Sequence, residues 1–309
     1  MVKIIMATYN GAKYITEQVE SVMKSEYRDF HLYVFDDCSK DDTIFSLEFL
    51  SKKYPEMITI VQNETNKGHT GNFLEGLHEV AQDGNEKDYY MFCDQDDIWM
   101  PKKIGITVAA MEATEKKYGK SMPLLVFTDA RIMSDKGERL GTFIKQSHYE
   151  VEKRDVAHIL MENKGMGCTM MMNHALASKL QKYPEYARHH DWWFMLAASA
   201  LGHTAFVNRP TLLYRQHGNN EVGVSGFAQY AVGRVKKLKA QKKQIEALYL
   251  QAEEFFQTFK SELSEENKRV FRAFTEMKKQ GWLARRKTAL KYGFLKSGIV
   301  RNIGLMIIL

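Results

Sequence analysis

Cysteine is scarce in this chain and poorly placed for bonding. Cys38, Cys93 and Cys168 are odd in number, far apart and without a C-x-x-C pair, which excludes a disulfide framework and a thiolate zinc site and fits a reducing cytoplasm. Proline is rare too, five in 309 residues, and with 44% hydrophobic and 27% charged residues an extended disordered chain is not expected. No stretch approaches the roughly 18 apolar residues of a membrane span. The early apolar run Val2 to Met6 is too short for a signal-peptide core. The expectation is a protein neither secreted by that route nor integral to a membrane. No G-x-x-x-x-G-K-[ST] loop occurs, which removes the usual kinase and ATPase reading, and Gly165-Met166-Gly167 does not complete a G-x-G-x-x-G fingerprint. Acidic residues vanish at the C-terminal end: Met277 to Leu309 holds eight Lys or Arg and no Asp or Glu, and Arg234 to Lys243 holds six basic residues and no acid. That third of the chain faces an anionic partner.

What is present has a clear order. Short apolar runs alternate with helix-like segments over the first hundred residues, the pattern of βαβ units and a mostly parallel α/β sheet flanked by helices. Strands are expected at Val2 to Ala7, Phe30 to Phe35, Ile58 to Gln62 and Tyr89 to Cys93, with a further one at Leu124 to Thr128. Helices are expected at Ala12 to Ser25, Asp42 to Tyr54 and Gly71 to Ala81. Each strand runs into hydrogen-bonding or acidic residues: Thr8 and Asn10, Asp36 and Asp37, Asn63 and the Asn66-Lys67-Gly68 turn, and Asp94-Gln95-Asp96-Asp97. In an open parallel sheet such ends share one edge, where ligands bind. From about Asn219 the chain turns into long helix-compatible stretches, giving a division into residues 1–218 and a helical C-terminal appendage, 219–309.

Three carboxyl groups within four residues are tolerable if a cation lies among them, and an all-oxygen set favours Mg²⁺ or Mn²⁺. Such an ion, holding few carboxylates, fills its other positions with water and phosphate oxygens, which points to a nucleotide diphosphate. The plainer alternative is a capped loop before a helix, with Asp97 as the N-cap.

Six segments carry a resemblance: MATYNG at 6–11, FDDCSKDDT at 35–43, NKGHTGN at 66–72, CDQDDIW at 93–99, HHDWW at 189–193 and RQHGNN at 215–220. In their order and spacing they resemble the family 2 inverting glycosyltransferases with the GT-A fold, over residues 1 to about 220. Within that family, DQDDIW with the late RQH-N-N segment is most similar to bacterial dTDP-rhamnose-dependent rhamnosyltransferases. The resemblance implies that Thr8, Tyr9 and Asn10 line the nucleoside pocket, that Asp37 bonds the base with Asp36 in support, and that Asn66, Gly68 and Asn72 sit by the nucleotide. Asp94 and Gln95 would lie by the ribose or donor sugar. Asp96 would be the main metal ligand, and Arg215, Gln216 and His217 would belong to a segment closing over the donor, His217 within reach of the metal.

Inverting transfer is one in-line displacement, so it needs a base for the acceptor hydroxyl and positive charge for the departing diphosphate. Asp191 is the candidate base, with Trp192 and Trp193 offering a stacking surface for the acceptor sugar; the alternative makes Asp191 a helix N-cap and both tryptophans core. His217 has a surface-loop alternative, and His189 and His190 are read as structural.

The stretch Gly281 to Leu309 sets Leu295, Ile299, Ile303 and Met306 at helical spacing beside Arg285, Arg286, Lys287, Lys291, Lys296 and Arg301. A basic amphipathic helix at an anionic membrane surface fits, as does packing on the catalytic domain or a second subunit, which would make a homodimer. Nucleic acid is not the expected partner, because the aromatics form no binding module. Membrane docking suggests a lipid-linked saccharide acceptor on the cytoplasmic face, in cell-wall or other surface polysaccharide synthesis. The alternatives in function are a UDP-hexose donor, or a non-catalytic subunit that binds nucleotide sugar or glycan.

Overall fold

The computed structural model describes residues 1–180, 183–217 and 238–309. The boundary expected at 218/219, the tail of the RQHGNN segment and part of the basic run from 234 lie outside them. Three parallel strands open the sheet: Val2–Thr8 (β1) between Phe30–Asp36 (β2) and Tyr89–Asp94 (β4), with Ile58–Gln62 (β3) outside β2. Each is joined to the next by a helix: Ile15–Met23 (α1), Thr43–Lys53 (α2) and Gly68–Gln82 (α3). These are the elements expected from the apolar runs, shifted by a few residues at their ends.

Beyond β4 the sheet turns mixed. Ile98–Trp99 (β5), Leu124–Ser134 (β6), Arg139–Thr142 (β7), Met170–Asn173 (β8) and His203–Gln216 (β9) complete nine strands, in the order β3-β2-β1-β4-β8-β6-β9-β5 with β7 on β6. β6 runs well past the expected Thr128, because it pairs with β9 from Leu124 to Ser134. Lys103–Tyr118 (α4), Phe143–Ser147 (α5), Val156–Met161 (α6), His174–Ala177 (α7) and His190–Leu201 (α8) fill the connections.

Alternation along the strands builds a core on each face. Val2, Ile4, Met6, Leu32, Val34 and Met91 meet α1, α2 and α4 on one side. Ile5, Phe35, Tyr90 and Phe92 meet Phe73 of α3 and Phe194 of α8 on the other. The C-terminal helices Leu238–Phe259 (α9), Glu265–Met277 (α10), Trp282–Tyr292 (α11) and Ile299–Ile308 (α12) join this second core through Phe255, Phe271, Phe274 and Phe294, all fully buried. Each such phenylalanine contributes about 1.5–3 kcal/mol. Among the described residues the C-terminal helices therefore share this core and pack on the sheet-bearing part of the chain.

Register sets the site. Thr8 pairs with Asp36 and Ala7 with Asp94, so three strand ends leave the sheet at one level. Two loop residues there, Asn10 (φ 48°) and Cys38 (φ 66°), take left-handed conformations, a strain that clusters at functional sites.

Candidate active site

A cleft of about 1030 Å³ runs along these strand ends. Where β1 and β2 end, the two adjacent aspartates part ways. Asp36 is buried beneath the loop, accepting from Thr8 Oγ1 (2.9 Å), Ser39 N (2.8 Å) and Ser39 Oγ, so it braces the pocket and does not line it. Asp37 does line it, and its carboxylate takes the amides of Lys67 and Gly68 at 2.8 Å each, at the N-terminus of α3. Asn66 reaches the Asp37 carbonyl (2.9 Å). Asn72 is buried, bridging Phe35 O (2.8 Å) and Asn63 (2.9 Å). Gly68 has φ +71° with empty space around the missing Cβ, so backbone angle alone requires glycine there. Tyr9 is exposed, and Gln95 lines the cleft while its amide accepts from Tyr9 N (2.9 Å) and donates to Tyr9 O (3.0 Å), tying the β1 and β4 loops together.

The acidic lip comes next. Asp94 and Asp96 line the cleft, whereas Asp97 is sealed below it. The capping alternative for Asp97 fails: α4 begins after Lys102, and Asp97 Oδ1 instead accepts from Arg215 N (3.2 Å), with the buried Cys168 thiol also against its carboxylate. Burial, then the charges of Asp96 and Asp94, push Asp97 well above the usual carboxylate range; burial and Asp94 likewise raise Asp96. His217 Nε2 lies 2.7 Å from Asp96 Oδ2, its ring stacked on Tyr14 at 5.1 Å. Asp94, Asp97 and Cys168 also bring three ligand atoms within 4.8 Å, although burial holds the Cys168 thiol protonated. Carboxyls crowded so that Asp96 and Asp97 both hold their protons more tightly fit a hard divalent cation, with Asp94 and Asp96 on the cleft to hold it and His217 beside them.

Arg215 does not turn to the cleft. Its Nη2 donates to Glu17 (2.6 Å) and Nε to the Asp96 carbonyl (3.0 Å), so it fastens β9 to the acidic loop. Gln216 pairs with Ser134 and lies outside the cleft lining. One site residue escaped the sequence reading although its motif was in view: His69, in NKGHTGN, lines the cleft with Nε2 3.5 Å from Asp94 Oδ1.

Asp191 lines the same cleft in the first turn of α8, whose N-cap is His189, so it is not the cap. Its Oδ2 accepts from Gly167 N (2.9 Å), and Oδ1 is buried with no hydrogen-bond partner among the described residues. A Cβ on Gly167 would meet His190 Nε2 at 2.5 Å, which explains glycine at this close approach. Burial pushes the Asp191 carboxyl up to about 6, against the pull of the Gly167 amide and His69. His190 is buried and neutral, stacked on Phe73 at 4.1 Å. The tryptophans divide. Trp192 lines the cleft, its indole N–H on Ile159 O (2.6 Å). Trp193 is 3% exposed and packs on Phe255 (5.2 Å) and Phe259 (6.3 Å), so it is core and no acceptor platform; neighbours on a helix point about 100° apart.

The basic tail is also rearranged. It forms two helices, α11 and α12, broken by Gly293 (φ 74°) and Gly298 (φ 79°). Arg285 caps Leu309 O (3.0 Å), and Arg301 pairs with Glu162 (3.0 Å), so part of the basic run serves internal packing. Lys296 lines the cleft. Trp282, Leu283, Leu290, Ile299, Ile303 and Ile307 remain exposed. Among the described residues no helix is long and apolar enough to cross a membrane.

A half-parallel sheet with an acidic lip after β4 and C-terminal helices packed on its face gives a GT-A-like fold, and a desolvated carboxyl lies across the cleft. Residues 3–151 match the model of Glycosyl transferase family 2. The dTDP-rhamnosyl transferase RfbG of Shigella flexneri is 28% identical over 230 residues, 71% of this chain and 74% of that relative. The UDP-Glc:alpha-D-GlcNAc-diphosphoundecaprenol beta-1,3-glucosyltransferase WfgD of Escherichia coli is 27% identical over 178 residues, 57% of this chain and 61% of the relative. Among solved structures, S. aureus TarS 1-349 in complex with UDP is 17% identical with a TM-score of 0.54, covering 91% of each chain. The mannosyltransferase PcManGT of Pyrobaculum calidifontis, in complex with GDP-Man and Mn2+, is 13% identical with a TM-score of 0.54, over 94% of this chain and 73% of that one.

Proposed function

We propose that the chain is a metal-dependent inverting transferase that moves rhamnose from dTDP-rhamnose to a lipid-linked saccharide in bacterial surface-polysaccharide synthesis. The observation that carries it is Asp191: a carboxyl on the cleft, pushed up to about 6, with one oxygen bonded to Gly167 and the other without a hydrogen bond among the described residues. Such a group is ionised near neutrality yet basic enough to take a proton from an acceptor hydroxyl. As the acceptor oxygen bonds to the anomeric carbon, the bond from that carbon to the donor's phosphate oxygen breaks, and the hydroxyl proton passes to the Asp191 carboxylate. Mg²⁺ or Mn²⁺ at Asp94, Asp96 and His217 would neutralise the departing diphosphate. Asp37, Asn66 and Gly68 order the nucleoside wall, and Gln95 holds the Tyr9 loop in register with it.

The rhamnose donor is favoured by the likeness to RfbG, whereas the likeness to WfgD keeps a UDP-hexose as the second reading. Peripheral attachment at the cytoplasmic membrane face is favoured by the exposed apolar residues of α11 and α12 lying beside exposed Lys287 and Lys291. The test is release of nucleoside diphosphate from a panel of nucleotide sugars with Mn²⁺ or Mg²⁺. Fastest turnover is expected with dTDP-rhamnose, with loss on chelation and in Asp96→Ala. Faster turnover of UDP sugars removes the rhamnose assignment, and full activity in chelator removes the metal.

A further inference from the structure

We propose that the outer face of α2 is a two-fold contact with a second copy of this chain, in which the two α2 helices lie antiparallel and Asp42 of each meets Lys52 of the other.

α2 has two unlike faces. Thr43, Leu47 and Leu50 are buried on the sheet side. Outward, Phe45 is 74% and Phe49 65% exposed. Four residues apart on a helix the two rings are neighbours, so they form one apolar stripe rather than the single scattered residues of an ordinary surface. A charge closes each end of that stripe. Asp42 stands at the N-cap position yet makes no capping bond with its side chain, and Lys52 lies in the last turn; both are exposed. The steps from Asp42 to Phe45, Phe49 and Lys52 are three, four and three residues, the spacing of a seam along which two helices pack. The adjacent charges are already engaged within the chain. Asp41 accepts from Thr43 Oγ1 (2.5 Å) and Ala12 N (3.1 Å), and Lys53 pairs with Glu20 (2.6 Å).

The stripe is complementary to itself in one direction only. Asp42 and Lys52 stand five residues either side of Leu47, and Phe45 and Phe49 stand two either side. A two-fold axis crossing the helix at Leu47 therefore sets Phe45 against Phe49 of the second copy and Asp42 against its Lys52, each twice. Parallel helices would set Asp42 on Asp42 and Lys52 on Lys52, which repel. A bilayer is a poorer match. The exposed charges from residue 40 to residue 53 are Lys40, Lys52 and Lys53 against Asp41, Asp42 and Glu48, which leaves no cationic surplus for an anionic surface. Four phenylalanines withdraw roughly 150 Å² each, so with their neighbours the contact lies near the lower bound of about 1,200 Å² for specific interfaces. The dimer is expected to be reversible, with a Kd on the order of 10 µM.

The test is sedimentation velocity of the full chain from about 1 to about 200 µM, a span centred on that Kd, with circular dichroism to confirm that each variant is folded. The wild type should pass from monomer to dimer across the series. Phe45→Ser, Phe49→Ser, Asp42→Lys and Lys52→Asp should each weaken association at least tenfold, and the double variant Asp42→Lys with Lys52→Asp should recover most of it. Ten residues apart, about 15 Å along one helix, the two charges do not meet within a chain, so recovery reads pairing between copies. A wild type that stays monomeric overturns the contact. Association that survives Phe45→Ser and Phe49→Ser lies on another face, such as that of α11 and α12, and overturns it too. A folded double variant that does not recover removes the antiparallel register on which the proposal stands. A monomeric wild type that binds phosphatidylglycerol vesicles through Phe45 and Phe49 assigns the face to lipid instead.

Discussion

Replacing Asp191 by asparagine separates the cost of the base from its use. The carboxyl stands near 6 against an ordinary 3.8, which at about 1.36 kcal/mol per pH unit is roughly 3 kcal/mol. Because the native carboxyl holds its proton more tightly than the unfolded one, below pH 3.8 nothing is lost. Between 3.8 and 6 the unfolded chain releases its proton first, and above 6 the folded state carries the full cost. Wild-type stability therefore falls as pH rises through that window. Asparagine keeps the acceptor for the Gly167 amide and has no charge to bury, although an amide N–H at the sealed Oδ1 position costs about 1–3 kcal/mol at every pH. That constant cancels when two pH values are compared. The stability difference between Asp191→Asn and wild type should shift by about 2 kcal/mol in the variant's favour from pH 4.5 to pH 8, read by urea unfolding. Transfer should drop by about 10²–10⁴, and wild-type transfer should climb through about pH 6. A stability difference that ignores pH, or activity within tenfold of wild type, would refute the assignment.

Trp193→Ala should lower stability by about 3–5 kcal/mol, seen as a shifted urea midpoint, since the ring fills the core beside Phe255; a change under about 0.5 kcal/mol would mean the ring is not core. Gly68→Ala should cost about 1 kcal/mol and weaken dTDP binding, because its φ of +71° strains any side chain while the space around it is empty. An unchanged dTDP affinity would detach the Asp37 cradle from the nucleotide.

The parallel half of the fold was legible because each strand is an apolar run that ends on polar residues, and each helix carries its own spacing. What escaped depends on distance or direction. Asp36 and Asp37 look alike in sequence, yet one side chain points under the loop and the other into the cleft. Arg215 reads as a phosphate ligand until Glu17, far away in the chain, takes its guanidinium. Two adjacent tryptophans could not both face an acceptor, and helix geometry alone would have reassigned one. Lys296 was grouped with the outward basic residues, because nothing local shows that Asn302 and Ser297 turn its link toward the cleft. His69 sat inside a quoted motif with no pattern to single it out.

The phenylalanines that α9 and α10 wedge beneath α8 make these C-terminal helices part of the seat on which Asp191, the proposed base, rests. A shortened protein made to abolish adhesion to lipid would also unsettle Asp191, and its inactivity would be misread as a need for the bilayer. Only single changes on the outer face, at Leu290 or Ile303, separate adhesion from chemistry.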